Sequence, residues 1–384
     1  MAGRRPGGVL QILRFFILLD TTEALHHMKR PPLAYISRRS ETVPLVVTNL
    51  CSETIYPGIV SQSGTPPSSG GFELQTGQQM NFTVGADWQG RVWGRTNCSF
   101  NSQGTGPANA GGNNGGGSAC GTGDCGGIVD CKATGQTPVT LAEFTLATSS
   151  GQTFYDISLV DGYNLPLAII SLYPESDNSS LTQIPPNLTN PICIGTAALL
   201  TAQGDVSDSN SGTNSSYPIP LDESLSISDV ASWCPWDLQV NIPTVPFDGV
   251  YSYPDTNIQR PGFDPCFSAC AKFGQAADCC TGSYDSPNVC KPSSYSTAAK
   301  SVCPDAYSYG TCNVASSKLP ELSGSEAFDD QTSTFIIPSG GGFEVTFCPT
   351  GRSSNILKVY KQQLAQLSET GSVSESMLEA MRGT

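Results

Sequence analysis

Gly117-Ser-Ala-Cys-Gly-Thr-Gly-Asp-Cys-Gly-Gly-Ile-Val-Asp-Cys131 concentrates the two residue types that decide how this chain is read, glycine and cysteine. Across 384 residues there are 40 Gly and 28 Pro, and only 14% of residues are charged. That composition favours many short strands joined by turns over long helices. The length allows one large domain with appendages, or two ordinary domains. Fifteen cysteines accompany only two histidines, His26 and His27, both near the N-terminus. Cysteine spacing is irregular, with Cys279 and Cys280 adjacent, so the paired knuckles of a zinc site are absent. Oxidised pairs in a secreted protein are the expected state. Five Asn-x-Ser/Thr sequons, at Asn81, Asn97, Asn178, Asn187 and Asn214, agree with that route. Asn97 is the weakest of them, because Cys98 fills its middle position.

The formal net charge is −14, although the first 40 residues are basic. The acidic remainder would be repelled by phosphate backbones and anionic membranes, which argues against nucleic acid as a partner. Residues 1–42 read as a leader. Arg4 and Arg5 precede an apolar run, Val9 to Leu19, that has a signal-peptide shape but carries Arg14 in its middle. A misassigned start or a disordered leader is the alternative, and the run is too short for a membrane span. His26 and His27 fall in this leader.

From Val43 the character changes. Strands are predicted at 43–50, 72–74, 80–84, 91–95, 139–146, 155–160 and 343–347, a spacing that suits a sandwich or barrel. Gly104 to Gly117 lacks the Gly-Lys-Ser/Thr of a phosphate cradle and reads as a surface insertion. No cofactor motif is present. Residues 234–303 are cysteine-dense and short of strand signals, with one short helical turn expected within 263–273. Residues 351–384 show near-helical apolar spacing and read as a helical or flexible surface appendage.

The opening stretch resembles the signature of the thaumatin-like family. So do Trp93-Gly-Arg-Thr-Asn-Cys98, Thr140-Leu-Ala-Glu-Phe144 and Phe154-Tyr-Asp-Ile-Ser-Leu-Val-Asp-Gly-Tyr-Asn-Leu-Pro166. Cys303-Pro-Asp-Ala-Tyr-Ser-Tyr309, Asp329-Asp-Gln-Thr-Ser-Thr-Phe335 and Phe347-Cys-Pro349 complete an ordered set between about 43 and 350. The resemblance implies a mainly β fold: a central β-sandwich, a disulfide-rich loop domain and a small disulfide-stapled hairpin region. It further implies the bridges Cys51–Cys348, Cys98–Cys120, Cys125–Cys131, Cys193–Cys303, Cys234–Cys266, Cys270–Cys279 and Cys280–Cys290. Family members usually carry sixteen cysteines. Here Thr334-Phe335-Ile336-Ile337 replaces the usual Thr-Phe-Thr-Cys, so Cys312 is left free or competes for Cys193.

With the only histidines in the leader, a Ser-His-Asp or Cys-His site would have no base, and carboxylates become the default chemistry. Glycoside hydrolysis uses two of them, one protonated and one ionised. Matching to the family's glucan-directed members assigns Arg95, Asp156 and Asp329 to substrate binding, with Asp330 an alternative to Asp329. Glu143 is assigned as acid and Asp161 as base or nucleophile. The bland readings are that Arg95 bridges strand ends to Asp156 and that Asp161-Gly162 is turn chemistry. Asp124 reads as a loop acid, and Phe144, Tyr155 and Tyr163 as core residues before sugar platforms. The resemblance thus implies a secreted, monomeric, cell-wall-associated protein binding β-1,3-glucan or another wall polysaccharide, with weak endo-β-1,3-glucanase activity as a further expectation. A non-catalytic protein-binding, inhibitory or antifungal scaffold is the rival.

Overall fold

The computed structural model describes residues 42–106, 117–146, 151–172, 179–201, 217, 219–240, 265–286, 289–309 and 333–382. The leader with His26 and His27, Cys312, Asn178, Asn214, Asp329 and Asp330 lie outside the described residues.

Among the described residues ten strands make two five-stranded sheets. The first contains β1 (Thr42–Asn49), β3 (Gln79–Gly85), β7 (Leu167–Leu172), β8 (Ile192–Cys193) and β10 (Gly342–Phe347), in the order β3-β1-β10-β7-β8. The second contains β2 (Gly58–Ser63), β4 (Gln89–Trp93), β5 (Leu141–Thr145), β6 (Gln152–Ser158) and β9 (Phe335–Pro338), in the order β2-β4-β5-β6-β9. Among these described strands only the pairing of β1 with β10 is parallel; the other pairs are antiparallel. Alternation along each strand sends one set of side chains into the space between the sheets. Leu45, Phe82, Ile169 and Phe343 enter from the first sheet, and Val92, Phe144, Tyr155 and Phe335 from the second. Phe343 meets both Phe144 and Tyr155 at ring-centroid distances of 5.1 and 4.8 Å, which fixes how the sheets interdigitate.

The structure contains all seven bridges implied above. Cys51–Cys348 joins the chain just after β1 to the chain just after β10, where parallel pairing has already brought them side by side. Short helix α1 (Ile227–Ser232) precedes the cysteine-dense segment, which among the described residues holds α2 (Ala269–Phe273) and α3 (Ser294–Val302). Little core of its own supports this segment, so four of the bridges fall in or at its ends.

Residues 72–74, expected as a strand, contribute only an isolated bridge from Leu74 to Ile55. Conversely β2, β7, β8 and β9 form where no strand was expected. The surface appendage expected after Cys348 is instead built into the body as α4 (Ile356–Val359), α5 (Lys361–Thr370) and α6 (Glu375–Arg382). Ile356, Tyr360, Leu367, Leu378 and Met381 are buried within the main core cluster. The chain reaches them by running beside β8, where the Ser354 amide donates to the Ile192 carbonyl at 2.9 Å. Asp305, fully buried, accepts from the Ser354 hydroxyl at 2.5 Å and from the amides of Ile356 and Leu357 at 2.8 and 3.0 Å. It thereby supplies the acceptor that the first turn of α4 requires.

Candidate functional site

The inward residues of β4, β5 and β6 are Val92, Ala142, Phe144, Tyr155 and Ile157, so the residues between them face outward. Register then decides which outward side chains meet. Arg91 on β4 is opposite Glu143 on β5, and Glu143 is opposite Asp156 on β6. These three form one row across the outer face of the second sheet, one strand spacing apart. Arg91 Nη2 lies 3.1 Å from Glu143 Oε1, with the two side chains 22% and 30% exposed. Asp161 follows β6 in a tight turn in which the Gly162 amide donates to the Leu159 carbonyl at 3.0 Å. Gly162 has φ 98°, and a Cβ there would stand 2.5 Å from the Cys266 carbonyl oxygen. The turn can therefore press against the cysteine-rich segment only with glycine at this position. Tyr163 and Cys266 exchange amide hydrogen bonds at 2.8 Å, which lays that segment along the end of the acidic row.

The electrostatics follow from the crowding. Glu143 is pushed above the ordinary carboxylate value by loss of solvent. Arg91 pulls it down, the Asp161 charge pushes it up again, and a hydrogen bond from Ser158 opposes that push. Asp161 is likewise raised by loss of solvent and lowered by Arg91. Arg91 is thus the shared counter-charge of both acids, and like charges opposed on neighbouring strands need one. Loss of solvent therefore favours the protonated form of Glu143, and the Asp161 charge adds to that push. Arg91 favours the ionised form of its neighbours.

The assignment of Arg95 to this site is corrected. Arg95 is 0% exposed and sealed beneath the 117–131 loop. Its Nε donates to the Tyr56 carbonyl at 2.7 Å, Nη1 to Ile128 at 2.7 Å, and Nη2 to Val129 at 2.7 Å and Pro57 at 3.2 Å. Burial lowers it to about 10, with Asp124 and Tyr56 opposing that shift. Arg95 is a post that holds the loop in place, and the expected bridge to Asp156 does not form part of its contacts. The arginine of the acidic row is Arg91, four residues earlier, which the sequence reading missed. Both belong to the same predicted strand, and a period of two puts them on the same face. What separates them is the end of β4 at Trp93. Gly94 then lets the chain dip so closely that a Cβ would come within 2.6 Å of Leu165 Cδ1.

Asp124 is a loop acid. Its Oδ1 accepts from the amides of Ala119 and Cys120 at 2.9 and 3.1 Å, and its Oδ2 from Gly127 at 2.8 Å. Phe144, Tyr155 and Tyr163 are buried and serve the core. Glu143 and Asp156 stand opposite each other with Asp161 close enough to act on Glu143, whereas Asp329 and Asp330 lie outside the described residues. A second residue, to which the motif around it assigned no role, is Asn164. Its Nδ2 donates to the Gly94 carbonyl at 2.9 Å and the Thr122 hydroxyl at 2.8 Å, and its Oδ1 accepts from the Thr140 amide at 2.9 Å. Buried between β6 and β7, it ties the 117–131 loop to the end of β4 and the start of β5.

Among the described residues no group of His, Cys, Asp and Glu is arranged to hold a metal ion, and no helix is long and apolar enough to cross a membrane. Residues 49–349 match the model of the Thaumatin family. The chain is 34% identical to pathogenesis-related thaumatin-like protein 3.5 of Cryptomeria japonica over 82% of its own length and 93% of that protein. It is 33% identical to thaumatin-like protein 1 of Pyrus pyrifolia over 79% of this chain and 89% of that one. Pathogenesis-related protein 5 of Arabidopsis thaliana matches at 33% identity, covering 78% of this chain and 88% of that one. These relatives and the seven disulfides are consistent with a secreted protein. The two-sheet fold, the bridge set and these matches together identify the chain as a member of the thaumatin family.

Proposed function

We propose that the protein acts outside the cell by binding β-1,3-glucan of cell walls along the acidic row on β4, β5 and β6. The observation that carries this reading is the alignment of Arg91, Glu143 and Asp156 in one row, with Asp161 at its end. Such a row offers carboxylate acceptors and a guanidinium donor at strand spacing to a neutral polymer rich in hydroxyls. Weak hydrolysis is the further part of the reading. Glu143, which loss of solvent keeps protonated to higher pH, donates its proton to the glycosidic oxygen as the bond to the anomeric carbon breaks. Asp161, whose ionised form Arg91 favours, acts as base or nucleophile: the hydroxyl of a water bonds to the anomeric carbon, directly or by displacing Asp161 from it, and the water's proton passes to a carboxylate.

The test uses the pure protein on laminarin, scored for new reducing ends, and on insoluble curdlan, scored by sedimentation. Release of reducing ends that disappears in Glu143→Gln supports both parts. Sedimentation without release retains binding and removes hydrolysis. Failure in both assays by folded protein leaves the non-catalytic scaffold reading in its place.

A further inference from the structure

Three of the five sequons fall among the described residues, and the fold gives each a different setting. Asn187 is 8% exposed, inside the 3₁₀ turn Pro186–Leu188 and beside the buried Leu188. Asn97 has φ 51°, a left-handed backbone, and its middle residue Cys98 is bonded to Cys120. Its Nδ2 lies against the chain at Gly121, where an added Cβ would be only 3.3 Å away. Asn81 differs from both. It sits in the middle of β3, the edge strand of the first sheet among the described strands. Asn81 and Thr83 are two residues apart and both are exposed, so the acceptor amide and the hydroxyl of the sequon leave the same outer face. Phe82 between them points inward to the core.

We propose that Asn81 is an N-glycosylation site of the secreted protein and that Asn187 is not. The step joins the Asn81 Nδ2 to the anomeric carbon of an oligosaccharide carried on a lipid diphosphate. The sugar–phosphate C–O bond breaks, the lipid diphosphate leaves with the electron pair, and the amide proton passes to a base of the transferase. Folding afterwards need not move a glycan at Asn81, because the side chain already stands in solvent. A glycan at Asn187 would have to be accommodated inside the packed turn. Placement on β3 also answers a physical need. Edge strands expose backbone donors and acceptors and are ordinarily blunted by charge, proline or cover. β3 has none of the first two, and its neighbour residue Met80 is 40% exposed. A glycan here covers that edge while leaving the acidic row free, because the row lies on the outer face of the opposite sheet. The inference rests on the secretory route but not on glucan binding.

The full chain, secreted from yeast behind a heterologous signal, is digested to peptides after enzymatic deglycosylation in heavy-oxygen water. The expected result is an Asn81 peptide converted to labelled Asp and an Asn187 peptide recovered unlabelled. In intact-mass spectra Asn81→Gln and Thr83→Ala each lose one glycan per chain, while Thr83→Ser keeps it. An unlabelled Asn81 peptide from secreted protein, or a labelled Asn187 peptide, overturns the proposal. Because the readout is mass, it stands apart from any glucan assay.

Discussion

Arg91 Nη2 and Glu143 Oε1 meet at 3.1 Å across β4 and β5, while Arg95, on the same segment, is fully enclosed four residues later. The two arginines therefore do different work, and substitution separates them. Arg91→Met removes an ion pair whose side chains are 22% and 30% exposed and leaves two desolvated acids without their counter-charge, so stability falls by about 1–2 kcal/mol, short of the loss of a fully buried pair. The carboxyl titrations of Glu143 and Asp161 both move to higher pH, since Arg91 lowers both. Carbon-detected NMR of the side-chain carboxyls reads this directly, and unmoved titrations contradict it.

Arg95→Met behaves in the opposite way. It strips the donors from four backbone carbonyls beneath the 117–131 loop. Each buried acceptor left unpaired costs roughly 1–3 kcal/mol, partly recovered by relaxation, so a net loss of about 2–4 kcal/mol is expected. Chemical denaturation should show it as a lowered midpoint. An unchanged midpoint would return Arg95 to the surface role first expected of it.

Stability also depends on pH through Asp161. Its folded pKa is raised by loss of solvent, so the native state holds this proton at pH values where the unfolded chain has released it. The native state then binds more protons than the unfolded one, and stability falls as pH rises from the ordinary aspartate value through the folded one. Asp161→Asn removes that decline. The variant should melt higher than wild type above this window, and the advantage should shrink at acid pH. A melting difference that grows toward acid has the wrong sign for this account.

Docking of the C-terminal helices depends on Asp305. Asp305→Ala leaves the Ser354 hydroxyl and two amides of α4 without their acceptor, a loss of about 2–4 kcal/mol. Hydrogen exchange should then rise first in 356–382, ahead of the sandwich strands. Equal protection of both regions would mean that the apolar contacts alone hold these helices.

Reduction tests the covalent frame. Cys51–Cys348 spans 297 residues, and chain entropy assigns a loop of that length about 5–6 kcal/mol before the other bridges shorten it. Cys51→Ser with Cys348→Ser should lower the melting temperature even though β1 and β10 still pair. Full reductant should abolish the cooperative transition. Melting curves with and without reductant decide the matter.

Much of this was legible in the sequence because covalent and turn chemistry are local. The cysteine pairs followed from the family resemblance, matched position by position from Cys51 to Cys348, and β1, β3, β5, β6 and β10 followed from β-branched and alternating runs. The strands missed were those whose pairing depends on distant partners. β9 is a short Phe-Ile-Ile-Pro run that is a strand because β6 lies beside it, and β8 is two residues held by β7. Burial of 356–382 was hidden because the buried acceptor, Asp305, is some 50 residues away in sequence. In the site, Glu143, Asp156 and Asp161 were readable as motif acids. Choosing Arg91 over Arg95 required the strand end at Trp93 and the close approach at Gly94, which are matters of packing and leave no periodic trace.

The measurement that bears most directly on the glucan reading is sedimentation with curdlan of wild type, Arg91→Met with Glu143→Gln, and Arg95→Lys, each checked for native disulfides and a cooperative melt. The expected result is that wild type and Arg95→Lys sediment alike, and that the doubly altered row binds at least tenfold more weakly. Equal sedimentation of all three folded proteins, or retention by the altered row with loss in Arg95→Lys, would contradict it.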